Sequence, residues 1–258
     1  MRRAKPNNSF TSENYKAVLF DLDGVLTDTA KIHATCWKTT VDTYLHQHAA
    51  RSHQAFRPFD IESDYRVYVD GKARYDGVRD FLRSRGIEIP KGSPNDPPTE
   101  ETVCGLGNRK DVLVNEVIGS GGVEPYEGSV AFVSQLRAQG IQTAVVSSSH
   151  HCREILEAAK IQALFEVRVD GRIIDDLNLA GKPAPDAFLT AAKQLGVEPS
   201  NAVVIEDALS GVQAGKRGGF GLVIGVARHG NAEELKKHGA DLVVFDLGDL
   251  LRQPERGA

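Results

Sequence analysis

KAVLFDLDGVLTDT, residues 16–29, is the stretch on which the fold turns. Its apolar run, Ala17–Phe20, does not alternate, as expected of a strand buried on both faces of a parallel sheet. Asp21 then falls at the carboxyl end of that strand, where open α/β sheets gather ligands. Asp23 lies two residues on, so in extended backbone both carboxylates face the same way, and Gly24 lets the chain turn sharply after them. Two carboxylates facing one cleft repel each other, and a divalent cation is a natural way to keep both ionised. An Asp-rich turn closing a strand is the plainer reading of the same residues.

Short apolar runs of the same texture recur at 143–146, 202–205, 221–226 and 241–245, with 164–169 a weaker instance. Helical patterns lie between them. Val130, Val133, Leu136 and Arg137 precede Gly140, and Ala187, Phe188, Ala191 and Leu195 run into Gly196, both glycines suiting helix ends. Asn231 is placed to cap a helix over Ala232–His238, which carries two glutamates in its first turn. This alternation predicts an α/β fold, a Rossmann-like doubly wound parallel sheet with helices on both faces.

One segment breaks the alternation. Trp37, Val41, Tyr44, Leu45 and His48 share one helical face, and Tyr75, Val78, Phe81 and Leu82 share another. The loop at 91–98 (KGSPNDPP) is dense in turn residues and joins helices within this stretch. A helical domain over 29–120, inserted into a core made of 1–28 and 121–258, is the economical organisation, with a return hinge near 119–122.

The 258 residues are 41% hydrophobic and 26% charged, ordinary for a globular protein. A net charge of −4 argues against a general nucleic-acid binder but not against a small anion, which a local cluster of Lys and Arg can hold. Cys36, Cys104 and Cys152 have neither disulfide nor metal-ligand spacing, which suits a reducing cytoplasm. The basic start, MRRAKPNNSFTSENYK, has no apolar stretch behind it and reads as a poorly ordered tail over residues 1 to about 15. No apolar run approaches a membrane span. A cytoplasmic monomer acting on a small molecule is expected, with neither nucleic acid nor membrane as partner. His46, His48 and His53 do not suggest a metal site, because helical residues two apart point to nearly opposite sides.

Three later segments bear on the aspartates. Residues 145–149 (VVSSS) end a strand in the hydroxyls of Ser147, Ser148 and Ser149, which with nearby backbone N–H groups can meet a phosphate. Residues 181–188 (GKPAPDAF) put Lys182 in a proline-stiffened loop before a helix. Residues 204–211 (VIEDALSG) end another strand in Glu206 and Asp207, a suitable complement for a hard cation. Each has a bland alternative: Ser147 as a helix cap, Lys182 as a solvated lysine, and Glu206-Asp207 as acids at a helix start. Their joint occurrence, in order and each at a strand end, favours chemistry.

Together these four segments resemble the sequence motifs of the haloacid dehalogenase superfamily, over residues 16–28 and 127–226. The resemblance implies that Asp21 attacks phosphorus to form an aspartyl phosphate and that Asp23 is the general acid/base. It implies that Ser147 and Lys182 bind the phosphoryl group. Mg²⁺ would be held by Asp21, the main-chain carbonyl of Asp23, and Asp207 supported by Glu206. The chemistry is coherent in itself. A carboxylate can attack a phosphate ester only when the charge on both is neutralised, and a cation and Lys182 would do that.

The insert is similar to the cap of that superfamily, and its residues resemble those of the β-phosphoglucomutase-like subfamily. Thr29, His33 and Trp37 follow Asp21 by eight, twelve and sixteen residues, the spacing found there, which implies that His33 orients Asp23. Residues 71–76 (GKARYD) imply Arg74 as the grip on the phosphate not being transferred, and 108–110 (NRK) imply Lys110 as a contact to the sugar phosphate. The pattern departs at Gly77, where a serine is expected, at His150-His151, where Lys-Asn is expected, and in the long 91–98 loop. The reaction implied is interconversion of β-D-glucose 1-phosphate and glucose 6-phosphate through a bisphosphate. The alternative is a sugar-phosphate phosphatase using the same nucleophile. A non-catalytic sugar-phosphate binder is disfavoured by the intact set Asp21, Asp23, Lys182 and Asp207.

Overall fold

The computed structural model describes residues 14–119, 123–228 and 230–251. Most of the expected N-terminal tail and residues 120–122 of the expected hinge lie outside them. Six strands form one parallel sheet: β1 (Ala17–Phe20), β2 (Gln142–Val146), β3 (Val167–Val169), β4 (Ala202–Glu206), β5 (Leu222–Val226) and β6 (Leu242–Val244), in the order β3-β2-β1-β4-β5-β6. The chain moves outward from β1 to β3 and then returns to the other side of β1. The carboxyl ends of β1, β2 and β4 are therefore adjacent, with Phe20 level with both Val145 and Ile205. The weak run at 164–169 is a strand only over its second half, because Gln162–Leu164 closes a tight 3₁₀ turn first.

Between β1 and β2 lie α1 (Ala30–Ser52), a π-helical segment (Ile61–Val69), α2 (Arg74–Ser84), α3 (Val103–Gly119) and α4 (Glu127–Ala138). The rest are α5 (Cys152–Ala158), α6 (Gly171–Asp176), α7 (Asp186–Leu195), α8 (Leu209–Arg217) and α9 (Ala232–His238). Among the described residues no helix is long and apolar enough to cross a membrane.

Period-two alternation divides each strand between two cores. Val18, Phe20, Val203 and Ile205 pack with Phe132 and Leu136 of α4 and Ile155 of α5. Ala17, Leu19, Val204 and Val223 pack with Phe188 of α7, Val212 of α8 and Leu235 of α9. Gly140 and Gly196 follow α4 and α7 with φ of +75° and +69°, as helix ends require. Asn231 stands at the start of α9, but its side chain does not cap the helix; Nδ2 instead donates to the Asp207 carbonyl at 3.2 Å.

Residues 30–119 bury a third cluster, with Trp37, Val41 and Tyr44 of α1 meeting Phe59, Phe81 and Leu106. The π-helical turn was not expected. Tyr65 N–H donates to Asp60 O and Asp70 N–H to Tyr65 O, each five residues back. The 91–98 loop is tied to α3: Asn108 Nδ2 donates to the carbonyls of Pro94 and Asp96, and Arg109 Nε to that of Pro98.

The helical layer meets the sheet layer at Asp70 and Gly71. Ser210 Oγ donates to the Asp70 carbonyl at 2.7 Å and Ser148 Oγ to the Gly71 carbonyl at 2.8 Å. Gly71 has φ of +69°, and a Cβ there would fall 2.5 Å from Ser210 Oγ and 2.8 Å from Ala208 Cβ. Left-handed backbone costs a non-glycine residue roughly 1–2 kcal/mol before any clash. Gly71→Ala should therefore lower unfolding stability by at least about 1 kcal/mol, read from urea denaturation. An unchanged midpoint would show that this junction tolerates a side chain.

Candidate active site

β1 delivers the first carboxylate. Asp21 N–H still donates to Ile205 O at 2.9 Å, so the residue is held in sheet register while its side chain leaves the strand end. The turn that follows needs Gly24: φ is +81°, and a Cβ would lie 1.9 Å from Asp207 Oδ2. Gly211 plays the same part for Glu206, whose Oε1 would fall 1.7 Å from a Cβ at that position. The two glycines let the acids at the end of β4 crowd against the end of β1.

Lys182 lies at the centre of this crowd. It is buried, and its ammonium donates to Asp21 Oδ1 (2.5 Å), Glu206 Oε1 (2.6 Å) and the Val146 carbonyl (3.2 Å). It is not a solvated surface lysine. Burial alone would lower its pKa, but Asp21 and Glu206 outweigh this and hold the ammonium above the ordinary lysine range. Both oxygens of Glu206 are engaged, since its Oε2 accepts the N–H groups of Asp207 and Ala208, each at 3.1 Å.

Asp21, Glu206 and Asp207 offer oxygens that all lie within 4.8 Å of one another. Burial pushes Asp21 well above the ordinary carboxylate range; Lys182 opposes this while Glu206 and Asp23 add to it. Burial likewise pushes Asp207 well up, with Asp70 and Glu206 adding to it. An all-oxygen set in a negative field, with more carboxylates than Lys182 can balance, fits a hard divalent cation. The Asp23 carboxylate is not part of this group.

Asp23 instead faces the helical layer. Thr29 Oγ1 donates a short hydrogen bond to Asp23 Oδ1, and His33 Nε2 lies 3.3 Å from the same oxygen. Lys110 Nζ is 2.6 Å from His33 Nδ1. An ammonium only donates, so Nδ1 is the acceptor and the ring proton sits on Nε2, toward Asp23. Burial would raise the Asp23 pKa, but His33, Thr29 and Lys110 hold it at about 2. Burial lowers Lys110 to about 8, against the pull of Asp23 and Asp111.

Ser147 is buried, and it does not cap a helix: its Oγ accepts the Ser149 N–H at 3.1 Å, while α5 begins only at Cys152. Ser147, Ser148 and Ser149 line one cavity of about 70 Å³ together with Asp21, Asp23, His33, Arg74, Lys110 and Asp207. Every candidate site residue thus meets at this cavity, directly or, for Thr29 through Asp23, for Lys182 through Asp21 and for Glu206 through Lys182. Gly77 is close-packed, as a Cβ there would sit 3.3 Å from Val69 Cγ1.

Sequence reading missed several neighbours. Arg74 is paired with Asp111 on α3, and Asp111 also accepts from His151 Nε2 at 2.8 Å. Asp70, pushed up to about 7 by burial and by Glu206 and Asp23, lines the same cavity. Arg228 Nε donates to the Gly24 carbonyl at 3.1 Å while its guanidinium pairs with Asp246, pinning the turn after Asp23. Asp111 directly follows Lys110, the one local signal for it; nothing local marks Arg228, which lies 204 residues from Gly24.

Comparison with known proteins narrows the field. The family described as haloacid dehalogenase-like hydrolase matches residues 15–219. A β-phosphoglucomutase of Mycobacterium bovis is 50% identical over 242 residues, 93% of this chain and 92% of the relative. A β-phosphoglucomutase of Bacillus subtilis is 33% identical over 236 residues, 91% of each chain. The crystal structure of β-phosphoglucomutase from Clostridium difficile superposes with a TM-score of 0.72 at 25% identity, covering 92% of this chain and 93% of that one.

The Lys182 cluster makes a thermodynamic prediction. Removing one partner from a buried ion cluster costs about 3–5 kcal/mol, so Lys182→Met should be strongly destabilised at pH 8. Burial already pushes Asp21 up against the opposing pull of Lys182, and without the ammonium its folded-state pKa would lie further above the unfolded one. The folded variant then binds more protons than the unfolded chain, so its deficit must shrink as pH falls. Urea unfolding of wild type and variant at pH 8 and pH 5.5 reads this; a deficit independent of pH would mean that charge is not its cause.

Proposed function

The chain belongs to the haloacid dehalogenase-like hydrolase family, within its β-phosphoglucomutase-like subfamily, and on that premise we propose that it interconverts β-D-glucose 1-phosphate and glucose 6-phosphate. The observation that carries this reading is the single cavity in which Asp21 and Asp23 from the sheet layer meet His33, Arg74 and Lys110 from the helical layer.

Asp21 is the nucleophile. Its oxygen bonds to phosphorus as the bond from phosphorus to the sugar oxygen breaks, giving an aspartyl phosphate, and the second sugar hydroxyl later reverses the step. Lys182 sits on Asp21 Oδ1 and lowers the repulsion between carboxylate and phosphate. Asp23 is the acid/base. Ionised Asp23 takes the proton of the sugar hydroxyl that attacks the aspartyl phosphate, and returns that proton to the leaving sugar oxygen when Asp21 is phosphorylated again. Thr29 and His33 fix its orientation, and Lys110 fixes the tautomer of His33. Ser147, Ser148 and Ser149 bound the pocket on the phosphoryl side.

Mg²⁺ is the cofactor this donor set suits, held by Asp21, Asp207 and the Asp23 carbonyl with Glu206 behind them. When bound, it supplies the positive charge that lets two anions approach. The helical segment over 29–120 serves as a cap on the core of 1–28 and 121–258. A cavity of about 70 Å³ lies far below the ~300 Å³ at which ligand pockets begin, so cap and core must part to admit a sugar phosphate. A sugar-phosphate phosphatase is the second reading. The description of the matching family as a hydrolase favours it, as does the 34% identity of 49% of this chain to a trehalose-phosphate phosphatase of Mycobacterium leprae.

The deciding assay supplies β-glucose 1-phosphate, Mg²⁺ and a trace of glucose 1,6-bisphosphate, and follows glucose 6-phosphate and free phosphate together. Glucose 6-phosphate should accumulate in large excess over free phosphate and fail to form after chelation. Free phosphate without the isomer would make the protein a phosphatase. Arg74→Ala should cost the mutase reaction about a hundredfold, from a charge-assisted contact worth about 2–3 kcal/mol, and spare hydrolysis of a small aryl phosphate. Equal losses in both reactions would count against a second phosphate site at Arg74.

A further inference from the structure

Arg228 lies two residues beyond β5, yet its side chain ends beside the turn that follows β1, on the far side of β4. The side chain is largely buried and each of its nitrogens is engaged. Nε donates to the Gly24 carbonyl at 3.1 Å, Nη2 to Ser129 Oγ at 3.0 Å, and Nη1 pairs with the Asp246 carboxylate. Ser129 Oγ passes the contact on, donating to the Val25 carbonyl at 2.6 Å. The carbonyls of the two residues after Asp23 are thus held from outside the turn, one directly and one through a hydroxyl.

The same guanidinium grips the chain where it returns from the helical layer. Its central carbon stands 3.6 Å from the centre of the Tyr126 ring, a close stack of cation on aromatic face. Tyr126 donates its N–H to the Leu26 carbonyl at 2.9 Å and its hydroxyl to Asp28 Oδ1 at 2.8 Å. Asp28 N–H donates to the Glu124 carbonyl at 3.1 Å. The chain therefore leaves the sheet layer at 26–28 and re-enters it at 124–126 as two linkers tied side by side, with Arg228 at their base. Room for the counter-ion is built in as well: a Cβ at Gly128, in the first turn of α4, would fall 1.9 Å from Asp246 Oδ1. A lysine ammonium is a compact point charge without a planar face, so it could not meet a carbonyl, a hydroxyl, a carboxylate and a ring in their separate directions.

We propose that Arg228 is a positioning residue for Asp23, fixing both the turn that carries this carboxylate and the tied linkers through which Thr29 and His33 are brought to it. This rests on the mutase reading above. The charge of Arg228 is matched by Asp246, so what it gives Asp23 is geometry. Steps in which a sugar oxygen gains or loses a proton depend on where Asp23 stands. Formation of the aspartyl phosphate from an ester whose leaving group departs as a stable anion does not.

Arg228→Lys would be compared with wild type on two substrates. With β-glucose 1-phosphate, Mg²⁺ and a trace of glucose 1,6-bisphosphate, kcat should fall about ten- to a hundredfold while KM changes little. With dinitrophenyl phosphate, the Asp21 oxygen bonds to phosphorus as the phenolate leaves unprotonated. The rate of that first-turnover burst should stay within about twofold of wild type. Equal losses on both substrates would make Arg228 a structural residue alone, and full mutase turnover in Arg228→Lys would mean that charge suffices; either result overturns the proposal. If Arg228→Lys does not fold, Ser129→Ala decides, since it frees the Val25 carbonyl and leaves Arg228 paired with Asp246. A selective loss of the same kind, smaller in size, supports the role; an equal loss or none overturns it. Were wild type to release phosphate without making the isomer, the mutase reading would fall. The same comparison would then be made on hydrolysis of glucose 6-phosphate, whose sugar oxygen also leaves with a proton.

Discussion

A buried ammonium between two buried carboxylates is the constraint around which this molecule is arranged. Lys182 comes from the loop before α7, Asp21 from β1 and Glu206 from β4, and each is costly to bury alone. Their contact is possible only because β1 and β4 are neighbours in register, with their ends level. It also needs Gly24 and Gly211, where any side chain would strike the acids of β4. The sheet order, two glycines and one lysine therefore stand or fall together. The negative charge left after Lys182 has been counted is what makes the strand ends suited to a cation.

The second half of the site is not built by the sheet at all. Asp23 leaves the strand beside Asp21 but takes its environment from Thr29, His33 and Lys110. With the helical layer seated, these groups hold the carboxylate at about 2. Seating is local and polar: hydroxyls of Ser148 and Ser210 hold the carbonyls of Gly71 and Asp70. A contact made of a few hydrogen bonds near a glycine can be broken and remade more readily than an apolar core, so the Asp23 carboxylate is coupled to the position of the layer above it.

Much of this was legible in the chain because strand ends announce themselves. Non-alternating apolar runs broken by Asp21, Ser147 and Glu206 point both to a parallel sheet and to the strand ends where the candidate site lies, and the resemblance in spacing pointed to His33, Arg74 and Lys110. What stayed hidden depended on wide sequence separation or on unusual backbone. The contact of Arg228 with Gly24 joins residues with no local pattern in common, and the π turn before Asp70 follows no helical period that apolar spacing reveals. Asn231 misled in the opposite way. Its type suits a cap, yet the Asp207 carbonyl gave its side chain a better partner than the helix did.

The way the 91–98 loop is secured has a consequence for how this chain can vary. The hydrogen bonds that hold it from α3 are received by its carbonyls: those of Pro94, Asp96 and Pro98 accept from the side chains of Asn108 and Arg109, and that of Lys91 from the Cys104 N–H. Carbonyls are common to every residue, so the instructions for the path of the loop are written on the helix that carries Lys110 and Asp111. Most loop side chains could be exchanged freely. Asp96 and Gly92 are exceptions: the Asp96 carboxylate receives Thr102 Oγ1 and the Ser93 N–H, and a Cβ at Gly92, where φ is +72°, would fall 2.1 Å from Asp96 Oδ2. A change at Asn108 would remove two of the hydrogen bonds that hold the loop and, through Tyr75, whose hydroxyl donates to Asn108 Oδ1, would also be felt beside Arg74. Variability in this connection and constancy in the pocket are thus compatible, because they draw on different atoms.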